Sequence, residues 1–90
     1  MRIYKRAKIP NAMITRCDIN CLGSITLGSE IMKRYGIENN EQVHVLGVTT
    51  KERAVTYVIE GEGAEICCNG GMANIFKVGD TVNIVAYEII

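Results

Sequence analysis

Ninety residues, of which ten are basic, ten acidic and 48% hydrophobic, carry no formal net charge. That length holds one domain with a modest core. The balanced charge argues against an electrostatic nucleic-acid footprint, no apolar run is long enough to span a bilayer, and the basic opening MRIYKRAK has no apolar signal segment, so a cytoplasmic protein is expected.

The elements read in chain order as follows. YKRAKI reads as a first strand that leads into a turn at Pro10-Asn11. AMITRCDINC alternates imperfectly and reads as a second strand, and SITL as a short third after Gly23. A helix is predicted over about residues 30–35. Ser29 would cap it, Glu30 suits its first turn, Lys33 and Arg34 suit its last, and Gly36 stops it. Ile31, Met32 and Tyr35 form its apolar face. EQVHVLGVT, RAVTYVIE, AEICC and DTVNIVAYEI read as further strands, separated by glycine-bearing breaks at 60–63, 69–71 and 78–80. Six or seven short strands with one small helix predict a mainly β chain folded as a compact barrel.

Conventional catalytic signatures are missing. His44, the lone histidine, falls between Val43 and Val45 on the opposite strand face and reads as a solvated position. There is no G-x-S-x-G, no Walker loop and no G-x-G-x-x-G. Cys17, Cys21, Cys67 and Cys68 make a poor zinc set, because adjacent strand residues point to opposite faces. They read as free, buried, small hydrophobic residues, with no metal expected. Any reactivity must come from elsewhere, the backbone included.

Several stretches, in order, then carry a resemblance. They are AKI with Lys8, ITRCDINCLGSITL around Gly23-Ser24, ERAVTYVI at 52–59, CNGGMA at 68–73 and VGDTVNIVAY at 78–87. Singly, Arg53 reads as an exposed strand charge, Tyr57 as packing, Thr56 as an ordinary strand residue and Asn69-Gly70 as a turn pair. Jointly, over about residues 3–88, the chain resembles the pyruvoyl-dependent aspartate 1-decarboxylases. The resemblance implies a six-stranded double-psi β-barrel with one short helix. It implies self-cleavage between Gly23 and Ser24, giving pieces 1–23 and 24–90.

In that chemistry Ser24 Oγ attacks the Gly23 carbonyl carbon, and the peptide nitrogen takes the hydroxyl proton as the C–N bond breaks to leave an ester. Loss of the Ser24 α-proton expels the Gly23 carboxylate, and hydrolysis of the resulting dehydroalanine releases ammonia and leaves a pyruvoyl ketone. Gly23 is expected to help by lacking a Cβ and tolerating strained dihedrals. The ketone would form a Schiff base with a substrate amine and serve as an electron sink, replacing an external cofactor. The resemblance gives Tyr57 the role of proton donor, Arg53 that of carboxylate clamp, and Lys8 that of a second cation. Thr56 and Asn69 would support cleavage geometry, and the backbone of Gly70, Gly71 and Met72 would offer N–H donors. The reaction implied is L-aspartate to β-alanine, a pantothenate precursor, in a homotetramer with sites between neighbouring subunits. Whether cleavage is spontaneous or needs a helper protein is left open.

The departures from the family pattern gather near the expected substrate pocket. Cys21 replaces a usual tyrosine, Pro10-Asn11 a His-Arg pair, Gly71 and Met72 two alanines, and Asn83 an aliphatic residue. Family chains also usually continue with a tail beyond the position of Ile90. Two alternatives follow: a pyruvoyl decarboxylase of another amino acid, or an unprocessed barrel used as a binding or assembly module.

Overall fold

The computed structural model describes all residues 1–90 as seven strands and two short helices. The strands are β1 (Ile3–Met13), β2 (Arg16–Asp18), β3 (Ser24–Gly28), β4 (Gln42–Gly47), β5 (Arg53–Gly61), β6 (Ile66–Asn69) and β7 (Thr81–Ile89). The helices are α1 (Ser29–Tyr35) and α2 (Met72–Ile75). The mainly β expectation holds, with one strand and one helix more than the six and one implied.

The strands form one mixed sheet in the order β1-β7-β4-β5-β3-β6-β2. The β3–β5 and β2–β6 pairs are parallel and the others antiparallel. The two ends of this sheet are consecutive in the chain. Between β1 and β2, the Ile14 N–H donates to Asp80 O and the Thr15 N–H to Ile66 O, both at 2.9 Å. One continuous segment thus serves as both edge strands and curls the sheet into a barrel-like wall. Strand alternation fills its interior: Ile25 and Leu27, Val43 and Val45, Val58, Val82 and Ile84 are fully buried around Phe76.

Pro10-Asn11 is not a turn. β1 runs through it with a register shift between Ile9 and Ala12. Pro10 sits on an edge strand, where its missing N–H breaks no central ladder. Asn11 adopts φ 50°, and its N–H donates to Asn83 Oδ1 at 2.8 Å. The long strand expected over AMITRCDINC divides here, its first part ending β1 and its second forming only β2.

α1 begins one residue earlier than expected. Gly28, not Ser29, occupies the N-cap position, and no side chain caps the helix. Instead the Glu30 N–H donates to Gly63 O at 3.0 Å, so a neighbouring loop satisfies a first-turn donor. Gly36 ends the helix at φ 68° as expected, and Met32 enters the core with Ile31 and Tyr35 against it. All four cysteines are free thiols. Cys67 and Cys68 are buried and Cys17 half-buried, but Cys21 is exposed, because it lies outside the strands in the loop before β3.

Candidate functional site

Ser24 opens β3, antiparallel to β6, with Asn69 as its cross-strand partner. Ile25 and Leu27 take the core face, so Ser24 and Thr26 take the other. Ser24 and Asn69 are the two buried polar residues, 4% and 6% exposed. Asn69 Nδ2 donates to Ser24 Oγ at 2.9 Å, while Ser24 Oγ lies 3.5 Å from Leu22 O, the limit for donation. At such a site a lost partner costs about 1–3 kcal/mol. The pair therefore holds the hydroxyl close beside the peptide link it would attack.

The segment before Ser24 is open. Leu22 is 85% exposed, and a Cβ built on Gly23 meets nothing within 4 Å. The left-handed backbone at this corner belongs to Gly70, with φ 58°. A Cβ there would lie 2.5 Å from Cys21 O and 2.8 Å from Gly23 N. Gly70 thus lets the scissile loop pass directly over the end of β6. The Gly70 N–H also donates to Asp18 O at 2.8 Å, anchoring the same corner. The Cys21 thiol donates to Asp18 Oδ2 at 3.0 Å. That bond, with the Asn20 N–H, holds the Asp18 carboxyl below its usual range, and the carboxylate in turn pushes the Cys21 thiol up.

β5 brings Tyr57 to this corner. Val58 pairs with Ile25 and is buried, so Tyr57 falls one step earlier beside Ser24 on the outer face, 37% exposed. Thr56 points the other way, opposite Val43, so the support for cleavage geometry expected of it lies on the other face from Ser24 Oγ. Gly71 is exposed, and the Gly71 and Met72 N–H groups make no backbone hydrogen bond. The Met72 side chain is 5% exposed within the core cluster.

The cations lie farther off. Arg53 shares the outer face with Tyr57 but sits two pleats along β5, roughly 13 Å away. Lys8 pairs with Val85, which neighbours His44, which neighbours Val55. That row puts Lys8 roughly 14 Å across the face from β5. Neither cation takes part in a salt bridge. Arg53 lines a concavity of about 420 Å³ with Gln42, His44 and Tyr87. His44 is more covered than expected: its ring meets the Tyr87 ring edge-on at 4.8 Å, and Nδ1 is buried without a partner.

One chain thus assembles Ser24, Asn69, Gly70, Gly71 and Tyr57, and leaves Arg53 and Lys8 apart. Sequence reasoning missed Thr26 and Cys67, both of which bond to Asn69. The available signal was strand periodicity: each stands two residues from a named site residue, on the same face.

The model of the aspartate decarboxylase family matches residues 1–90. The chain is similar to the aspartate 1-decarboxylase of Caldicellulosiruptor bescii, 44% identical over 84 residues, covering 91% of this chain and 66% of the relative. It is similar to that of Campylobacter concisus, 43% identical over 81 residues, covering 90% and 70%. It is also similar to that of Bacillus cytotoxicus, 38% identical over 91 residues, covering 99% and 72%. The chain therefore spans about two thirds of the length of such relatives, and it belongs to the aspartate decarboxylase family.

Proposed function

We propose that this chain cleaves itself between Gly23 and Ser24 and then decarboxylates L-aspartate to β-alanine, using a pyruvoyl group made from Ser24. The observation that carries the reading is the buried Ser24–Asn69 pair beside Gly23, whose Cβ position faces open space. The Asn69 bond holds the hydroxyl, and the side-chain face of Gly23 is open where the peptide bond would break. Cleavage there cuts no strand, since β3 begins at Ser24. Once formed from Ser24, the pyruvoyl group would supply an electron sink for a substrate amine. Tyr57, half-exposed and adjacent, would return a proton to the substrate carbon. Arg53 offers a planar fork for a carboxylate.

The proposal includes a homotetramer, which the separation of Arg53 and Lys8 from Ser24 supports. A homotetramer would bring the cationic face of one copy against the Ser24 corner of its neighbour. Two departures from the family pattern bear little on substrate choice, because Met72 packs in the core and Asn83 holds the Asn11 bulge. Cys21 and Gly71 are the departures left at the site. No helix is long and apolar enough to cross a membrane, and we place the enzyme in the cytoplasm.

The test is a panel of amino acids offered to purified protein, with release of carbon dioxide as readout. L-aspartate should be turned over fastest, with β-alanine as product. Faster turnover of a different amino acid would overturn the substrate assignment. No turnover of any, from a chain that stays whole, would point to a binding module.

A further inference from the structure

The amide of Asn69 is held at both ends. Its two Nδ2 hydrogens have two acceptors, Ser24 Oγ at 2.9 Å and Thr26 Oγ1 at 2.8 Å. Its Oδ1 accepts from Cys67 Sγ at 3.3 Å. A primary amide has two N–H donors, so the donor set is saturated. Each contact lies on the outer face of β3 or β6 by strand alternation.

The orientation of that amide has a physical cause. An amide can be turned end for end with little change in shape, so its partners must choose. Hydroxyls can donate or accept, and do not decide. A protonated thiol donates, and decides for oxygen at its end. Burial pushes the Cys67 thiol up, which keeps its proton in place. Oδ1 then faces Cys67, and Nδ2 faces Ser24 and Thr26.

Thr26 is itself fixed. Its Cγ2 lies 2.5 Å from where a Cβ on Gly61 would stand, so the bare backbone of Gly61 receives the methyl. A β-branched side chain has few χ1 choices. With the methyl seated over Gly61, the hydroxyl is turned to Asn69.

We propose that Thr26 and Cys67 are positioning residues for self-cleavage, holding the Asn69 amide so that its Nδ2 is directed at Ser24 Oγ. Without the Thr26 hydroxyl, Nδ2 has a free hydrogen and the amide can swing from the serine. Without the Cys67 thiol, the amide can turn end for end and present an acceptor to Ser24. The proposal rests on the self-cleavage reading and adds to it two residues outside the reacting atoms.

The test compares cleavage rates of freshly made wild type, Thr26→Val, Thr26→Ser, Cys67→Ala and Cys67→Ser, with thermal midpoints measured alongside. Thr26→Val keeps the branched shape and removes the hydroxyl; Thr26→Ser does the reverse. Thr26→Val should slow cleavage about tenfold, the effect of one such bond on a barrier. Thr26→Ser should cleave clearly faster than Thr26→Val, since it keeps the hydroxyl, and somewhat slower than wild type, since it loses the methyl seat over Gly61. Cys67→Ala should slow cleavage less, and Cys67→Ser should restore it. Thr26→Val cleaving at the wild-type rate overturns the proposal alone, as does Thr26→Ser slowing as much as Thr26→Val. Should Thr26→Val not fold, the Cys67→Ala and Cys67→Ser pair decides by the same logic. A wild-type chain that never cleaves overturns the self-cleavage reading and this proposal together.

Discussion

The Ser24 corner and the Arg53 face are built on opposite terms. Ser24 and Asn69 are buried and bonded to each other, with Thr26 and Cys67 closing the set. Arg53 and Lys8 stand on the open outer face without an acidic partner. A site that acts on its own backbone needs nothing from outside and can be completed by one chain. A site that binds a charged substrate keeps its cations free for it, and in the oligomer proposed above a second copy would bring them to the reacting group.

That contrast can be broken at either end. The largest effect expected is from Ser24→Ala, which should abolish both cleavage and decarboxylation while leaving the fold intact. Arg53→Gln should cleave normally and lose roughly 10- to 100-fold in kcat/KM for L-aspartate, the magnitude of a lost charged hydrogen bond. Co-expressing Ser24→Ala with Arg53→Gln sharpens the comparison. If sites lie between copies, mixed oligomers regain activity that neither parent has in full. Recovery no greater than the sum of the parents would place both halves in one chain.

Two glycines next separate packing from chemistry. Gly70→Ala should lower stability by about 1–3 kcal/mol, because its left-handed φ and the contact with Cys21 O both oppose a side chain. Gly23→Ala should leave the thermal midpoint nearly unchanged, since nothing stands near its Cβ. Equal midpoints for the two variants would contradict the packing described at the corner.

A further effect concerns pH. Burial, followed by the charges of Cys17 and Cys67, pushes the Cys68 thiol up to about 12 from an ordinary 9.0. The folded chain keeps a proton that the unfolded chain releases, so this contribution is complete below pH 9.0 and is lost as pH rises toward 12. Cys67 is shifted in the same direction by its burial. Urea midpoints should fall across that range, and fall less steeply in Cys68→Ala.

Much of the fold was legible because it rests on period-two alternation. Val43 and Val45, Ile25 and Leu27, and Ile84 all took the core face that the pattern required. What was not legible depended on contacts distant in sequence. Pro10-Asn11 carries a turn signal, yet Asn83 from β7 supplies an acceptor to the Asn11 N–H and keeps the strand running. These two departures from the family pattern looked like separate changes in a pocket and are one contact. The Ser29 cap failed for a similar reason, since Gly63 O serves the α1 first turn. At the site, the Gly-Ser pair and Asn69 could be named from their order in the chain. That Gly70 rather than Gly23 bears the close approach needed the crossing of two segments to be seen.

The account turns on the bond between Gly23 and Ser24, and intact-mass measurement of the purified wild-type chain reads it directly. The expected result is two species, residues 1–23 and residues 24–90, the larger lighter than its unmodified sequence and labelled by a carbonyl reagent at its new end. A single species at the mass of residues 1–90, unlabelled and unchanged on incubation, would contradict it.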